Sequence, residues 1–183
     1  MSTLTIGGAD LSFTGGKWTS APSGTILQTV TATMREDQTV SSTSWTDITD
    51  GTYPLSVSIT PGSTSSYLLC IAHVHVAQVN DINGTKTQTH SANTSRDAAT
   101  FGVGYVDYSG SSDLTDWARN SYKLASMNIK YAPASTSTLT VKVQGFDADG
   151  NANGFHINRT VDNNQSSNYG DTVSTITVHE VAG

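Results

Sequence analysis

A two-residue rhythm constrains this chain more than any other feature. Between Ile26 and Met34, the residues Ile26, Val30, Ala32 and Met34 stand on one parity and Thr29, Thr31 and Thr33 on the other. Leu55, Val57 and Ile59 alternate in the same way with Ser56, Ser58 and Thr60, as do Ile176 and Val178 with Thr175 and Thr177. Successive side chains of a strand point to opposite faces, so this rhythm puts aliphatics on one face of a sheet and hydroxyls on the other. Composition argues the same way. The 183 residues include 28 Thr, 24 Ser, 13 Asp and 16 Gly but only two Glu, Glu36 and Glu180. Thr, Asp and Gly each oppose a helix, through restricted side-chain rotation, competition for the backbone or chain entropy. A helical bundle is excluded.

The segment SYLLCIAHVHVAQV (66–79) is apolar on both faces at its start, which predicts a central strand. Further strands are predicted around Phe101, Val103 and Tyr105, around Met127, Ile129 and Tyr131, and around Leu139, Val141 and Val143. Phe155 with Ile157, and Ile176 with Val178, mark two more. Asp50-Gly51, Asn83-Gly84, Asp149-Gly150 and Asn153-Gly154 are turn dipeptides, because these residues tolerate positive φ. The one helical hint is a turn at 113–117. Short strands with this punctuation predict an all-β fold, an antiparallel β-sandwich of jelly-roll-like form. Residues 1–22 differ: Gly7-Gly8 and Gly15-Gly16 interrupt a Ser/Thr-rich stretch carrying isolated Ile6, Leu11, Phe13 and Trp18. We expect a short N-terminal attachment arm over 1–22, with those four as its anchors, and a sandwich over 23–183.

Charge narrows the partners. A net charge of −6, with nine Lys and Arg scattered singly, offers no basic footprint for nucleic acid. The apolar run Leu68–Ala72 is far short of the ~20 residues a membrane helix needs. The N-terminus lacks the charged and apolar regions of a signal peptide, and Cys70 has no second cysteine to bridge, so synthesis in a reducing cytoplasm is expected.

Few constellations carry chemistry. His73 and His75 stand about 7 Å apart on one strand face, weak candidate metal ligands that would need further chains to complete a site. No cofactor is expected. The loop DADGNANG (147–154) lacks the Gly and the bidentate Glu of a calcium loop, so a plain hairpin is expected. Trp18, Trp45 and Trp117 are expected to serve packing rather than sugar stacking. No nucleophile elbow, zinc-protease or phosphate-loop motif occurs, and only Glu180 with scattered Asp offers a carboxylate pair. The chain is not expected to be an enzyme.

Three stretches carry a resemblance. SGTILQTVTATM (23–34) is similar to an opening G-[TK]-[IV]-L-Q pattern, and LSVSITPGSTSSYLLCIAHV (55–74) to an L-x-x-x-I-T-P-x-S-x-S-S-x-[IL]-L pattern. HINRTVD (156–162) with STITVHEVAG (174–183) is similar to a closing S-T-I-T-[LV]-x-E-[IV]-A, from which His179 and Val181 depart mildly. In their order these resemble the small virion proteins and fibre-tip C-terminal domains of tailed, marine podovirus-like phages. The resemblance implies a jelly-roll-like sandwich, often trimeric, that builds or decorates a virion and has no catalytic residues at these motifs. The expected function is a head decoration or knob protein docking on the capsid by its arm, located in the virion and bound to other virion proteins. The alternative is a tail fibre or receptor-binding tip that recognises host cell-surface glycan with loops at 83–97, 107–117 and 147–154, where Asn83, Asp107, Trp117, Asp147 and Asn151 are the candidate contact residues.

Overall fold

The computed structural model describes residues 2–6, 9–14, 17–49, 51–78, 87–96, 99–109, 123–147, 154–159 and 172–183. Within them lie fourteen strands and no helix: β1 (Ser2–Ile6), β2 (Ala9–Thr14), β3 (Lys17–Ser20), β4 (Ile26–Met34), β5 (Gln38–Val40), β6 (Thr46–Asp47), β7 (Ser56–Ile59), β8 (Tyr67–Gln78), β9 (Thr87–Arg96), β10 (Ala99–Ser109), β11 (Lys123–Tyr131), β12 (Leu139–Asp147), β13 (Phe155–Ile157) and β14 (Ser174–Val181). Every pairing is antiparallel. The fold is all-β, as the two-residue rhythm requires, and its two large sheets form a sandwich around one core.

Register fixes the order within each sheet. In one, β8 is central. Residues 68–73 pair with both β11 and β14, so those two strands flank β8 on opposite sides. Val76 pairs with Lys123 of β11 and with Ile157 of β13, so β13 continues the row that β14 begins. Beyond that row run β4, paired to β14, and β5, paired to β13. The order is therefore β11, β8, β14 with β13, then β4 with β5. In the second sheet the order is β10, β9, β12, and both β7 and β6 share the far side of β12.

The core lies between the inward faces. From the first sheet come Leu68, Cys70, Ala72, Val74 and Val76, with Met127, Ile176 and Val178; from the second come Val57, Ile59, Leu139, Val141 and Val143. Burying each Leu, Ile, Val or Met among them stabilises the fold by roughly 1.5–3 kcal/mol. The outward face of β4 and β14 is threonine. Thr31 Oγ1 lies 3.0 Å from Thr177 Oγ1, and Thr29 Oγ1 lies 2.8 Å from His179 Nδ1. These cross-strand bonds let the polar face reinforce the ladder beneath it.

Two expectations fail here for identifiable reasons. Parity puts Ile26 on the core face, yet Ile26 is 55% exposed and Leu27 is buried. The register of β14 against β4 shifts between Glu180 and Val181, and a bulge hands the inward position to the next residue. The stretch 83–97 was expected to be a loop, but Thr87–Arg96 is β9, paired on both sides by β10 and β12. Its sequence TQTHSANTSR carries one small apolar residue and so shows no hydrophobic rhythm. Its two neighbours hold it in place by backbone pairing.

Candidate functional site

The four expected anchors come together on the N-terminal sheet. The strands β1, β2 and β3 form a sheet of their own in that order, separate from the two sheets of the sandwich. Leu4 stands opposite Leu11, Ile6 opposite Ala9, Ser2 opposite Phe13, and Phe13 opposite Trp18. Directly opposed residues share a face. The positions of Leu4, Ile6, Ala9, Leu11, Phe13 and Trp18 thus fall on one face of the meander. Thr3, Thr5, Asp10 and Ser12 occupy the alternate positions. The scattered apolar residues of the sequence thus share one face of a three-stranded sheet, on which Phe13 is 40% exposed.

The candidate glycan contacts fare differently. Asn83, Trp117 and Asn151 lie outside the described residues, as does most of the loop 147–154. Asp107 and Asp147 are not in loops: Asp107 is within β10, opposite Thr89, and Asp147 is the last residue of β12, opposite His90. Extended pairing with β9 carries both into the sheet. Strand direction nevertheless gathers their surroundings. β8 ends, β9 starts, β10 ends, β11 starts, β12 ends and β13 starts at one end of the sandwich, where Gln78 pairs with Phe155, Ser109 with Thr87 and Lys123 with Val76.

His73 and His75 do share the outward face of β8, since Ala72, Val74 and Val76 face the core. His73 is exposed, while His75 Nδ1 lies 3.0 Å from Val173 O. Among the described residues, no group of three His, Cys, Asp or Glu side chains gathers to hold a metal ion.

Three polar clusters were not foreseen. The first occupies the gap where β13 gives way to β14. Asn158, buried and at φ 58, donates its backbone N–H to His75 O (3.0 Å) and its side-chain amide to Met34 O (2.9 Å) and Glu36 O (3.1 Å). Its Oδ1 accepts from Ser174 Oγ at 2.6 Å, and Ser174 Oγ in turn accepts from His75 N at 3.1 Å. Through its backbone and side chain together, Asn158 thereby satisfies carbonyls of β4, of the bend after it and of β8, and ties them to Ser174 of β14 at a break in the sheet.

The second cluster surrounds Glu180, 1% exposed. Its carboxylate accepts from Gln28 Nε2 (2.5 Å) and Gly62 N (2.7 Å), and Gln28 Nε2 also donates to Thr60 O at 2.7 Å. Gln28, Thr60 with Gly62, and Glu180 belong to the three separate stretches that carried the sequence resemblance. In space they are one clasp, which gives a physical reason for that Gln, that turn and that Glu to occur together. The clasp occupies both carboxylate oxygens of Glu180.

The third cluster lies on the outward face of the second sheet. Lys142 Nζ is 2.8 Å from Asp47 Oδ1 and 3.1 Å from Oδ2, and Gln144 Nε2 donates to the same carboxylate at 2.7 Å. Asp47, Lys142, Pro54, Ser56 and Thr140 line a recess of about 300 Å³. Trp45, two residues before Asp47, is 38% exposed, and Tyr53, next to Pro54, is 71% exposed. The only sequence signal here was polar residues at alternate positions of β12, which every half-exposed strand shows. No protein-family model and no curated protein matches the chain.

Proposed function

We propose that this chain is a structural protein of a bacteriophage particle, a head decoration protein that docks on the capsid through the apolar face of β1–β3 and projects its sandwich outward. The observation that carries the reading is the shared face of Leu4, Ile6, Leu11, Phe13 and Trp18 on a meander separate from the sandwich core. A three-stranded sheet needs its apolar face covered to persist in water, and a partner protein provides the cover. The strand orders β4-β14-β8-β11 and β7-β12-β9-β10 place the last strand beside the first and alternate the chain between sheets, the arrangement of two nested Greek keys. That order supports a jelly roll. The Gln28–Glu180 clasp supports the resemblance, because it ties the three resembling stretches together. In this reading the protein works in the virion as a homo-oligomer, a trimer by the same resemblance, bound to other virion proteins and without catalysis.

The test compares the full chain with one lacking residues 1–20, each added to particles made without the protein. Circular dichroism should show both folded, and only the full chain should co-sediment with heads. Equal binding by the truncated chain refutes docking through the arm. A copy number on the scale of the capsid shell supports the head location, whereas a few copies per particle assigns the protein to the tail.

A further inference from the structure

We infer that the recess between β6, β7 and β12 is a binding site for a neutral oligosaccharide. Val141 and Val143 point into the core, which turns Thr140, Lys142 and Gln144 to the outside of the same strand. Ser56 stands opposite Lys142 and Asp47 opposite Gln144, so the hydroxyl, ammonium, carboxylate and amide form one patch. Two neighbours hold Asp47 in a single orientation. A preset polar group costs little ordering when a ligand arrives.

The charge balance selects the ligand class. Lys142 and Asp47 neutralise one another at 2.8 Å. An anion drawn to Lys142 meets Asp47, and a cation drawn to Asp47 meets Lys142. A polyhydroxylated neutral molecule uses both, donating to the carboxylate and accepting from the ammonium, with Ser56 and Thr140 within the same lining. The recess, at about 300 Å³, is at the small end of ligand pockets and suits one sugar ring with part of the next. Tyr53 directly precedes Pro54 of the lining and is, among the described residues, the most exposed of the large apolar side chains; Trp45 lies two residues before Asp47. Neither ring lines the recess itself, but an aromatic ring joined so closely to its rim can meet the C–H side of a pyranose whose hydroxyl edge meets the polar patch. The site lies on the sheet face at residues 140–142 of β12, not at the end of that strand, where the loop 147–154 was expected to read glycan. It also stands independently of the docking face on β1–β3, so either assignment can fail alone.

The test uses the full chain, isotopically labelled, titrated with maltoheptaose, cellohexaose, mannohexaose and chitohexaose to about 10 mM, where millimolar binding is visible. At least one should shift amides at 45–47, 53–56 and 140–144. Tyr53→Ala, which removes an exposed ring and should retain the native spectrum, is expected to weaken that binding roughly tenfold. Absence of shifts with all four sugars overturns the assignment. So do shifts confined to other strands, or undiminished binding by folded Tyr53→Ala.

Discussion

Asn158→Ala should be among the most damaging single substitutions in this sandwich, although it removes no apolar surface. The amide holds Met34 O at 2.9 Å and Glu36 O at 3.1 Å and accepts from Ser174 Oγ at 2.6 Å, at a site 1% exposed. Alanine strands these groups. A buried polar group left without a partner costs roughly 1–3 kcal/mol. Glu36 O, on the exposed side, can turn to water, which leaves two groups stranded and a loss of about 2–6 kcal/mol. Alanine must also adopt φ near 58, where a Cβ costs about 1 kcal/mol more than asparagine or glycine there. The expected total is about 3–7 kcal/mol. Asn158→Gly removes the same hydrogen bonds without the backbone penalty and should be about 1 kcal/mol milder. Urea unfolding followed by tryptophan fluorescence reads both as a fall in midpoint at constant slope, on the order of 2 M for the alanine variant. Ser174→Ala breaks the same network, so the double variant should lose less than the sum of the two single losses. An alanine variant within about 1 kcal/mol of the native chain, or a glycine variant worse than alanine, refutes this account of the junction.

Two further outcomes follow from burial. His156, with Nδ1 2.9 Å from Thr39 Oγ1, has its pKa lowered from 6.5 to about 4, chiefly by burial and then by Arg159, against an opposing pull from Asp37. Above pH 6.5 neither state takes up the proton; as pH falls toward 4 only the unfolded chain does, so stability should drop through that window by about 3 kcal/mol. Urea midpoints across that pH range should flatten in His156→Gln, and an unchanged pH slope in the variant would count against the assignment. Cys70 is fully buried, and burial pushes its thiol up to about 12, so a disulfide probe at pH 8 should label it only as fast as the chain unfolds. Labelling of the native protein within seconds contradicts the packing of β8.

The all-β class, the central place of β8 and most sandwich strands were legible because each follows from a local rhythm. Leu68, Cys70, Ala72, Val74 and Val76 alternate in the chain and are buried in the fold. Likewise, Gly154 was legible as a turn residue; it takes φ 58, and any Cβ there would collide with Val40 O. What local reading missed depends on partners distant in sequence. Nothing in TQTHSANTSR predicts an inner strand, because β10 and β12 supply its reason to be extended. The anchors Ile6, Leu11, Phe13 and Trp18 were visible as residue types, but their common face required the register of three strands.

By itself, then, the sequence determined a chain of alternating hydroxyls and aliphatics that can only be sheet, with little charge to attract an ionic partner. Tertiary structure alone decided that Gln28, Gly62 and Glu180 form one clasp, that Asn158 pairs the broken ladder, and that Lys142 and Gln144 converge on Asp47. The physical reason is reach: alternation operates over two residues, whereas these contacts close loops of up to 152 residues, and only the completed sheets hold their ends together.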